Sequence, residues 1–290
     1  MRRIIIGYLC SDKKLGKDEK IFLKLAKKKK IRLEFFNISK EFREEELEDK
    51  IKKCDLFFNS TAEDFAVEFS KMIEELGKVV IDSPEEYFRA EDKWVFFLKC
   101  QQHKIPTPET ILLSESKKIA RKELKKFKRW PVVLKRVWGT MGEYVEKADD
   151  IQQAMKVIKK FWKKGSEKMP IIAQEFINSP SYRVTVIGNK IVQTAIKQNN
   201  GWKATGVYAK NFKKFKIDPK LEKIVKKIVR ISRIKICGID LFKKNGKWLV
   251  LEVNSQPSFD FFEDEREMLI DKALNLLKKE AREIHKKPFY

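Results

Sequence analysis

The chain has 290 residues and carries 65 lysines and arginines against 42 acids, a formal net charge of +23, and a field of that sign attracts polyanions, from nucleic acid to nucleotides and acidic substrates. Four scattered cysteines form no C-x-x-C pair and only two histidines are present, so zinc ribbons, thioredoxin motifs and histidine triads are disfavoured. Any metal chemistry then falls to carboxylates, with magnesium or manganese as the cation.

The opening "MRRIIIGYLC" has too short an apolar run for a signal-peptide core and reads as a first buried strand. No run in the chain reaches the roughly 18–20 apolar residues of a membrane span, so a cytoplasmic protein without a membrane partner is expected. Residues 17–29 read as helix, "IRLEFFNI" as strand, "EFREEELEDKIKKC" as helix, "DLFFNST" as strand, "AEDFAVEFSKMIEEL" as an amphipathic helix closed by Gly77, and "KVVID" as strand. Strands that are nearly continuous in apolar residues, alternating with helices, predict a parallel sheet covered by helices. No G-x-G-x-x-G follows the first strand, which argues against a dinucleotide site.

A second unit begins near residue 92. "SPEEYFRAEDKWVFFLKCQQHKIPTPETILL" reads as one helix, a Pro-Thr-Pro turn and a strand, and "KIARKELKKFKRW" as helix. "PVVLKRVWGTMGEYV" reads as strand, glycine-containing loop and strand, and "DDIQQAMKVIKKFWKK" as a helix with aspartates where the dipole favours them. Lys135 ends an apolar strand, and Gly139 and Gly142 permit a loop whose amides could cover phosphates; a plain hairpin turn accounts for the same glycines. From about residue 172, "MPIIAQEFI" and "VTVIGNKIVQTAI" supply strands, residues 219–234 a basic helix, and "CGIDLFKKNGKWLVLEVN" a hairpin about Asn-Gly. Lysines spread through the helices read as solvated surface. With no RNA-binding motif among them, nucleic acid is disfavoured and an acidic substrate or protein is the partner the charge would serve.

The closing hairpin admits two registers. A two-residue turn at Asn245-Gly246 sets Asp240 opposite Leu251 and mixes both faces. A three-residue loop, Lys244-Asn245-Gly246, gathers Ile239, Leu241, Leu249, Leu251 and Val253 on one aliphatic face. It leaves Asp240, Phe242, Trp248, Val250, Glu252 and Asn254 on the other. The clean core face selects the three-residue loop. Asp240, Glu252 and Asn254 then form a hard-oxygen set suited to Mg²⁺.

Taken in order, "PVVLK…GTMG…QEFI…YRVTVIGNKIV…GIDLF…LEVNSQP" resembles the ATP-grasp superfamily. The likeness is to the RimK/LysX-like carboxylate–amine ligases, which include the glutamate ligases of coenzyme F420 and tetrahydromethanopterin. The resemblance covers about two thirds of the chain. It implies an α/β (α+β) fold, with an N-terminal parallel pre-ATP-grasp domain over residues 1–92. A two-subdomain ATP-grasp fold follows, with the phosphate-covering subdomain at 93–172 and the metal-bearing one at 173–290. It implies that Lys93 and Lys135 contact ATP phosphates under a Thr140–Gly142 loop, and that Gln174, Glu175, Phe176 and Ile177 line the adenine. Ser181 and Lys203 join the ATP-binding set. Arg183 and Lys197 are the implied catalytic pair, meeting the substrate carboxylate, the acylphosphate and the oxyanion. Asp240, Glu252 and Asn254 would hold two Mg²⁺ or Mn²⁺ ions, with Glu252 bridging.

The implied reaction is ATP-dependent amide formation through an acylphosphate. It would add an amino acid such as glutamate to an acidic small molecule or an acidic protein tail or carrier, in a homo-oligomer. The sequence departs from the pattern at Ser181, Lys197, Lys203-Ala204-Thr205 and Ser258, where the family has an aspartate, an arginine, Arg-x-Asn and a glycine. Lysine keeps the charge but loses the planar fork. These departures keep a second reading open, a nucleotide- or nucleic-acid-binding protein that has lost ligase activity.

Overall fold

The computed structural model describes residues 3–12, 14–40, 44–61, 63–139, 142–163, 168–198, 201–203 and 211–286. Strand β1 (Ile4–Cys10) is buried along nearly its whole length, as an interior strand of a parallel sheet must be. The sheet runs β2 (Ile31–Asn37), β1, β3 (Leu56–Asn59), β4 (Val80–Ile81), all parallel. Alternation along the strands divides two cores. Ile6, Tyr8 and Phe58 meet Phe22 of helix α1 (Lys17–Lys28) on one face. Leu9 and Phe57 meet Ile51 of α2 (Glu44–Lys53) and Phe69 of α3 (Asp64–Glu75) on the other.

Between residues 84 and 102 the single helix expected from the sequence is two, α4 (Pro84–Glu91) and α5 (Lys93–Gln102). Asp92 breaks them. Its backbone is extended, and its carboxylate accepts the Trp94 and Val95 amides at 2.9 and 2.8 Å. An N-cap aspartate satisfies donors that an uninterrupted helix would not leave open. This restart fixes Lys93 as the first residue of α5.

A second sheet runs β5 (Thr110–Leu113), β8 (Ile171–Glu175), β6 (Val132–Arg136), β7 (Val145–Ala148), all antiparallel. Leu134 and Ala173 pack under α6 (Lys117–Phe127) and α7 (Ile151–Lys163) through Leu124, Ile158 and Phe161. Strand periodicity turns Val133, Lys135 and Gln174 to the opposite, uncovered face.

The third sheet runs β11 (Asn211–Lys213), β10 (Lys190–Gln198), β9 (Ser181–Ile187), β12 (Ile236–Lys244), β13 (Lys247–Asn254). Helix α8 (Pro219–Ser232) lays Val225 and Ile228 on Val184, Ile239 and Val250. Asp218 begins it, accepting the Leu221 amide at 2.8 Å and the Trp248 indole N–H at 2.7 Å. Helix α9 (Glu263–Ile284), to which the sequence reading assigned no element, sets Leu269, Leu274 and Leu277 against the first sheet and against Ile187 and Ile236 of the third. Among the described residues no helix is long and apolar enough to cross a membrane.

The closing hairpin corrects the expected register. Lys244 pairs with Lys247, so the turn is the two-residue Asn245-Gly246, with φ of 50° and 73°. Positive φ at both positions is what a tight primed turn demands. The shift arises further along. Leu241 pairs with Val250 and Asp240 with Glu252, which leaves Leu251 as an extra, bulged residue. Asp240 and Glu252 therefore do share a face, through a bulge and not through a longer loop, and they stand directly across from each other. Trp248 and Val250, expected beside the acids, lie in the core, while Leu251, expected in the core, lines the cleft.

Asp218 serves both the α8 cap and the buried indole. Asp218→Ala should lower unfolding stability by about 1 kcal/mol or more, read as a lower urea midpoint; an unchanged midpoint would remove this account of how α8 is tied to β13.

Candidate active site

The uncovered face of the second sheet and the face of the third sheet opposite α8 enclose a cavity of about 660 Å³. On the second-sheet side, the Lys135 ammonium is buried and donates to Gln174 Oε1 at 2.9 Å. The Gln174 amide in turn donates to Thr110 Oγ1 at 3.0 Å, which fixes its orientation. Burial pushes Lys135 down to about 8, against the opposing pull of Glu252 and Asp240. A lysine held this way is short of a counter-ion, and a phosphate would supply one. Lys93 reaches in from the start of α5, its ammonium donating to the Gly139 carbonyl at 2.9 Å. Gly139 and Gly142 line the cavity in positive-φ conformations; Thr140 lies outside the described residues.

The strand end at residues 174–177 forms the adjoining wall. The Glu175 N–H donates to the Glu109 carbonyl at 2.8 Å and the Phe176 N–H to the Pro131 carbonyl at 3.1 Å. Among the described residues no acceptor takes the Ile177 N–H. The Glu175 carboxylate is paired with Lys244 of β12, tying the two sheets together. Lys203 lies at the cavity wall with its ammonium 5.6 Å from the Trp202 ring centre; Ala204 and Thr205 lie outside the described residues. Ser181 is set apart from the others. It is buried in β9 opposite Lys197, does not line the cavity, and its hydroxyl has no partner among the described residues.

On the third-sheet side the charges converge on Asp240. The Arg183 fork donates Nε to Oδ1 at 2.6 Å and Nη2 to Oδ2 at 2.8 Å. The Lys197 ammonium donates to Oδ1 at 2.8 Å, and the Asn254 amide lies 3.4 Å from Oδ2. Asp240, Arg183 and Lys197 are only 4%, 8% and 2% exposed, so bulk water screens none of these contacts. Burial works against the Asp240 carboxylate, but Arg183 and Lys197 outweigh it and hold the group below the usual range. Burial outweighs Asp240 at Lys197 and pulls that ammonium below its ordinary value, whereas Asp240 wins at Arg183. Gly238 makes the fork possible, since a Cβ there would lie 1.9 Å from Arg183 Nη1.

Asp240, Glu252 and Asn254 are the oxygen set expected to hold divalent ions. Glu252 and Asn254 line the cavity, and among the described residues the Glu252 carboxylate has no hydrogen-bond or ion-pair partner. Asp240 does not fit a cation as it stands. A carboxylate offers about four lone-pair sites, and two fixed cations and an amide already address them. Among the described residues no three acids, histidines or cysteines group as a metal site.

The chain has counterparts among known proteins. Residues 90–279 match the model of the RimK-like ATP-grasp domain. The chain belongs to the RimK-like ATP-grasp family. An α-aminoadipate–LysW ligase LysX from Saccharolobus solfataricus is 30% identical over 196 residues, 66% of this chain and 70% of that protein. A tetrahydromethanopterin:α-L-glutamate ligase from Methanococcus maripaludis is 29% identical over 61% of this chain and 62% of its own. Probable α-L-glutamate ligases of Legionella pneumophila match at 29% identity over 53% of this chain, which spans about half their length. In structure, a D-alanine–D-alanine ligase from Bacillus anthracis superposes with a TM-score of 0.75 at 14% identity, over 98% of this chain and 99% of that one. A RimK domain protein from Sphaerobacter thermophilus gives 0.73 at 14% identity, over 94% and 99%. These two likenesses speak for the fold.

Within this ATP-grasp cleft one residue was not anticipated from the sequence. Glu91, the last residue of α4, accepts the Ser255 N–H at 2.8 Å and lies 2.9 Å from the Ser255 hydroxyl. Ser255 follows Asn254 directly, so Glu91 anchors the loop that leaves the charged strand. Burial pushes its carboxyl upward, against the Ser255 bonds, and the nearby Glu252 adds to the rise. Its partner is 164 residues away, and no local pattern marks it.

Two outcomes follow from this geometry. ATP affinity should be level below pH 8 and fall above it, as Lys135 loses its proton; Lys135→Arg should flatten that fall, and a wild-type affinity unchanged to pH 9 would contradict the role of Lys135. Gly238→Ala should displace the Arg183 fork and cost about 1–3 kcal/mol of stability, read by thermal unfolding. A full-stability variant would mean that the fork does not lie against residue 238.

Proposed function

We propose that the protein joins a carboxylate to the amine of an amino acid, cleaving ATP to ADP and phosphate through an acylphosphate. The observation that carries this reading is the opposition of two ends in one cavity. Lys93, Lys135 and the glycine loop gather at one end, and Arg183 with Lys197 at the other. This reaction needs no nucleophile from the protein.

In this reading the substrate carboxylate oxygen attacks the γ-phosphorus in line, and the bond to ADP breaks. Lys93 and Lys135 offset charge on the moving phosphoryl group. The amine nitrogen then attacks the acyl carbon, phosphate leaves with its oxygen, and the amine loses a proton. Arg183 holds the oxyanion of the tetrahedral intermediate, with Lys197 behind it. Phe176, Ile177 and the Ile177 N–H receive the adenine edge. Because Asp240 is held by Arg183 and Lys197, no step here is routed through a divalent ion.

The names of the glutamate ligases among the relatives support glutamate as the amine. The charge of +23 supports an acidic donor, either a small molecule or the tail of an acidic carrier protein. The full occupation of Asp240 favours one alternative, a nucleotide- or nucleic-acid-binding protein without ligase activity. The two readings part on ADP release from ATP with an amino-acid panel and acidic carboxylates. Release that requires both a carboxylate and an amine supports the ligase, and nucleotide binding with no such release supports the alternative. For the ligase, Lys93→Met should lower turnover by about 10²-fold or more in a protein that melts like the wild type.

A further inference from the structure

The end of the cavity away from the glycine loop carries aromatic rings that the reaction above leaves unused. Phe212 of β11 and Phe261, which follows β13, both line it, with ring centres 4.8 Å apart and planes tilted by 54°. Phe212 pairs with Lys197 across β11 and β10. Cross-strand partners share a face, so Phe212 stands on the side of the sheet from which Lys197 reaches Asp240. The Phe261 ring centre lies 5.8 Å from the Arg183 guanidinium carbon. Among the described residues neither ring joins an apolar core, whereas Phe259, two residues before Phe261, packs on Phe22 within one. Trp202 lines the same cavity and is 37% exposed. Rings turned to a cavity and not to a core leave apolar faces that a ligand of like character would cover.

We propose that Phe212, Phe261 and Trp202 form a ring-binding wall, and that the carboxylate donor is a small molecule whose acid group is carried on a flat, uncharged ring. This rests on the ligase reading given above and narrows its donor. The charges around the rings balance, with Arg183, Lys197 and Lys203 against Asp240, Glu252 and Asp260. No net field there favours a charged body, and the rings favour an uncharged one. A flexible alkyl diacid or a peptide tail would set polar groups against the rings and lose water that the rings do not replace. It would also lose more rotational freedom on binding. A rigid ring loses little, and it can meet the phenyl groups offset or edge-on, the arrangements that aromatic pairs prefer. The tail of an acidic carrier protein fits this wall poorly for the same reasons.

The test uses the full chain and two probes, terephthalate and adipate, dianions of nearly equal span that differ in the ring. In calorimetric titrations terephthalate should bind about tenfold more tightly than adipate. In Phe212→Leu, which keeps apolar bulk and removes the ring, and in Trp202→Ala, the ratio of the two affinities should fall towards one. A merely structural role of either side chain would weaken both acids in proportion and leave the ratio standing. Equal binding of the two acids, tighter binding of adipate, binding of neither, or a ratio that survives both variants overturns the proposal. Both substituted side chains are partly exposed; if one variant does not fold, the other decides together with the wild-type ratio. ADP release from ATP with an amino-acid panel separates the two levels. Release that requires a carboxylate and an amine but shows no preference for ring-bearing acids overturns the ring-binding wall and leaves the ligase reading intact. A ring preference in binding without such release overturns the ligase reading and leaves the wall. A preference for ring-bearing amino acids in place of ring-bearing acids overturns the assignment of the wall to the donor.

Discussion

The contact on which the cleft depends is the buried bond between Asp240 and the cations of Arg183 and Lys197. Three strands must meet in one register to make it, since Asp240 pairs with Arg183 across β12 and β9 and Lys197 lies on β10. Breaking one member leaves an uncompensated charge out of water, a cost of about 3–5 kcal/mol. The Leu251 bulge, the absence of a side chain at Gly238 and the α8 face beneath the sheet all serve that register. So does Glu91, which pins the loop after Asn254 to the end of α4.

The opposite wall is built on the reverse principle. Lys135 is buried with a neutral amide as its hydrogen-bond partner, and its proton is correspondingly loose. One wall holds two cations against Asp240 with the Glu252 carboxylate beside them, and the other holds a lysine whose hydrogen-bond partner is neutral. A ligand that brings phosphates would satisfy the second wall. The cavity between them is of a size for a nucleotide and a small acid.

Much of the fold was legible in local pattern. The parallel sheet followed from apolar strands alternating with helices, and the last hairpin from Asn245-Gly246. What escaped the sequence depended on distant partners or on rules with competing solutions. A longer loop and a bulge swap the faces alike while moving the pairing in opposite directions, and segregation of residues by polarity could not tell which one acts. It therefore misplaced Trp248, Val250 and Leu251, and it put Asp240 on one face with Glu252 but not directly across from it. The break at Asp92 was readable in principle, because an aspartate before an apolar run is a cap signal. Helix α9 was readable too, from Leu269, Ile270, Ala273, Leu274 and Leu277 at helical spacing. The Glu91–Ser255 contact and the capture of Asp240 by Arg183 and Lys197 are tertiary facts, and no spacing announces them.

The central claim, that a carboxylate attacks the γ-phosphate within this cleft, is tested most directly by oxygen transfer. Dicarboxylates labelled with heavy oxygen in their carboxylate groups are supplied with ATP and an amino acid, and the released phosphate is weighed by mass spectrometry. The account predicts phosphate carrying one labelled oxygen from the carboxylate, formed together with an amide. Phosphate that takes its oxygen from water alone would contradict it.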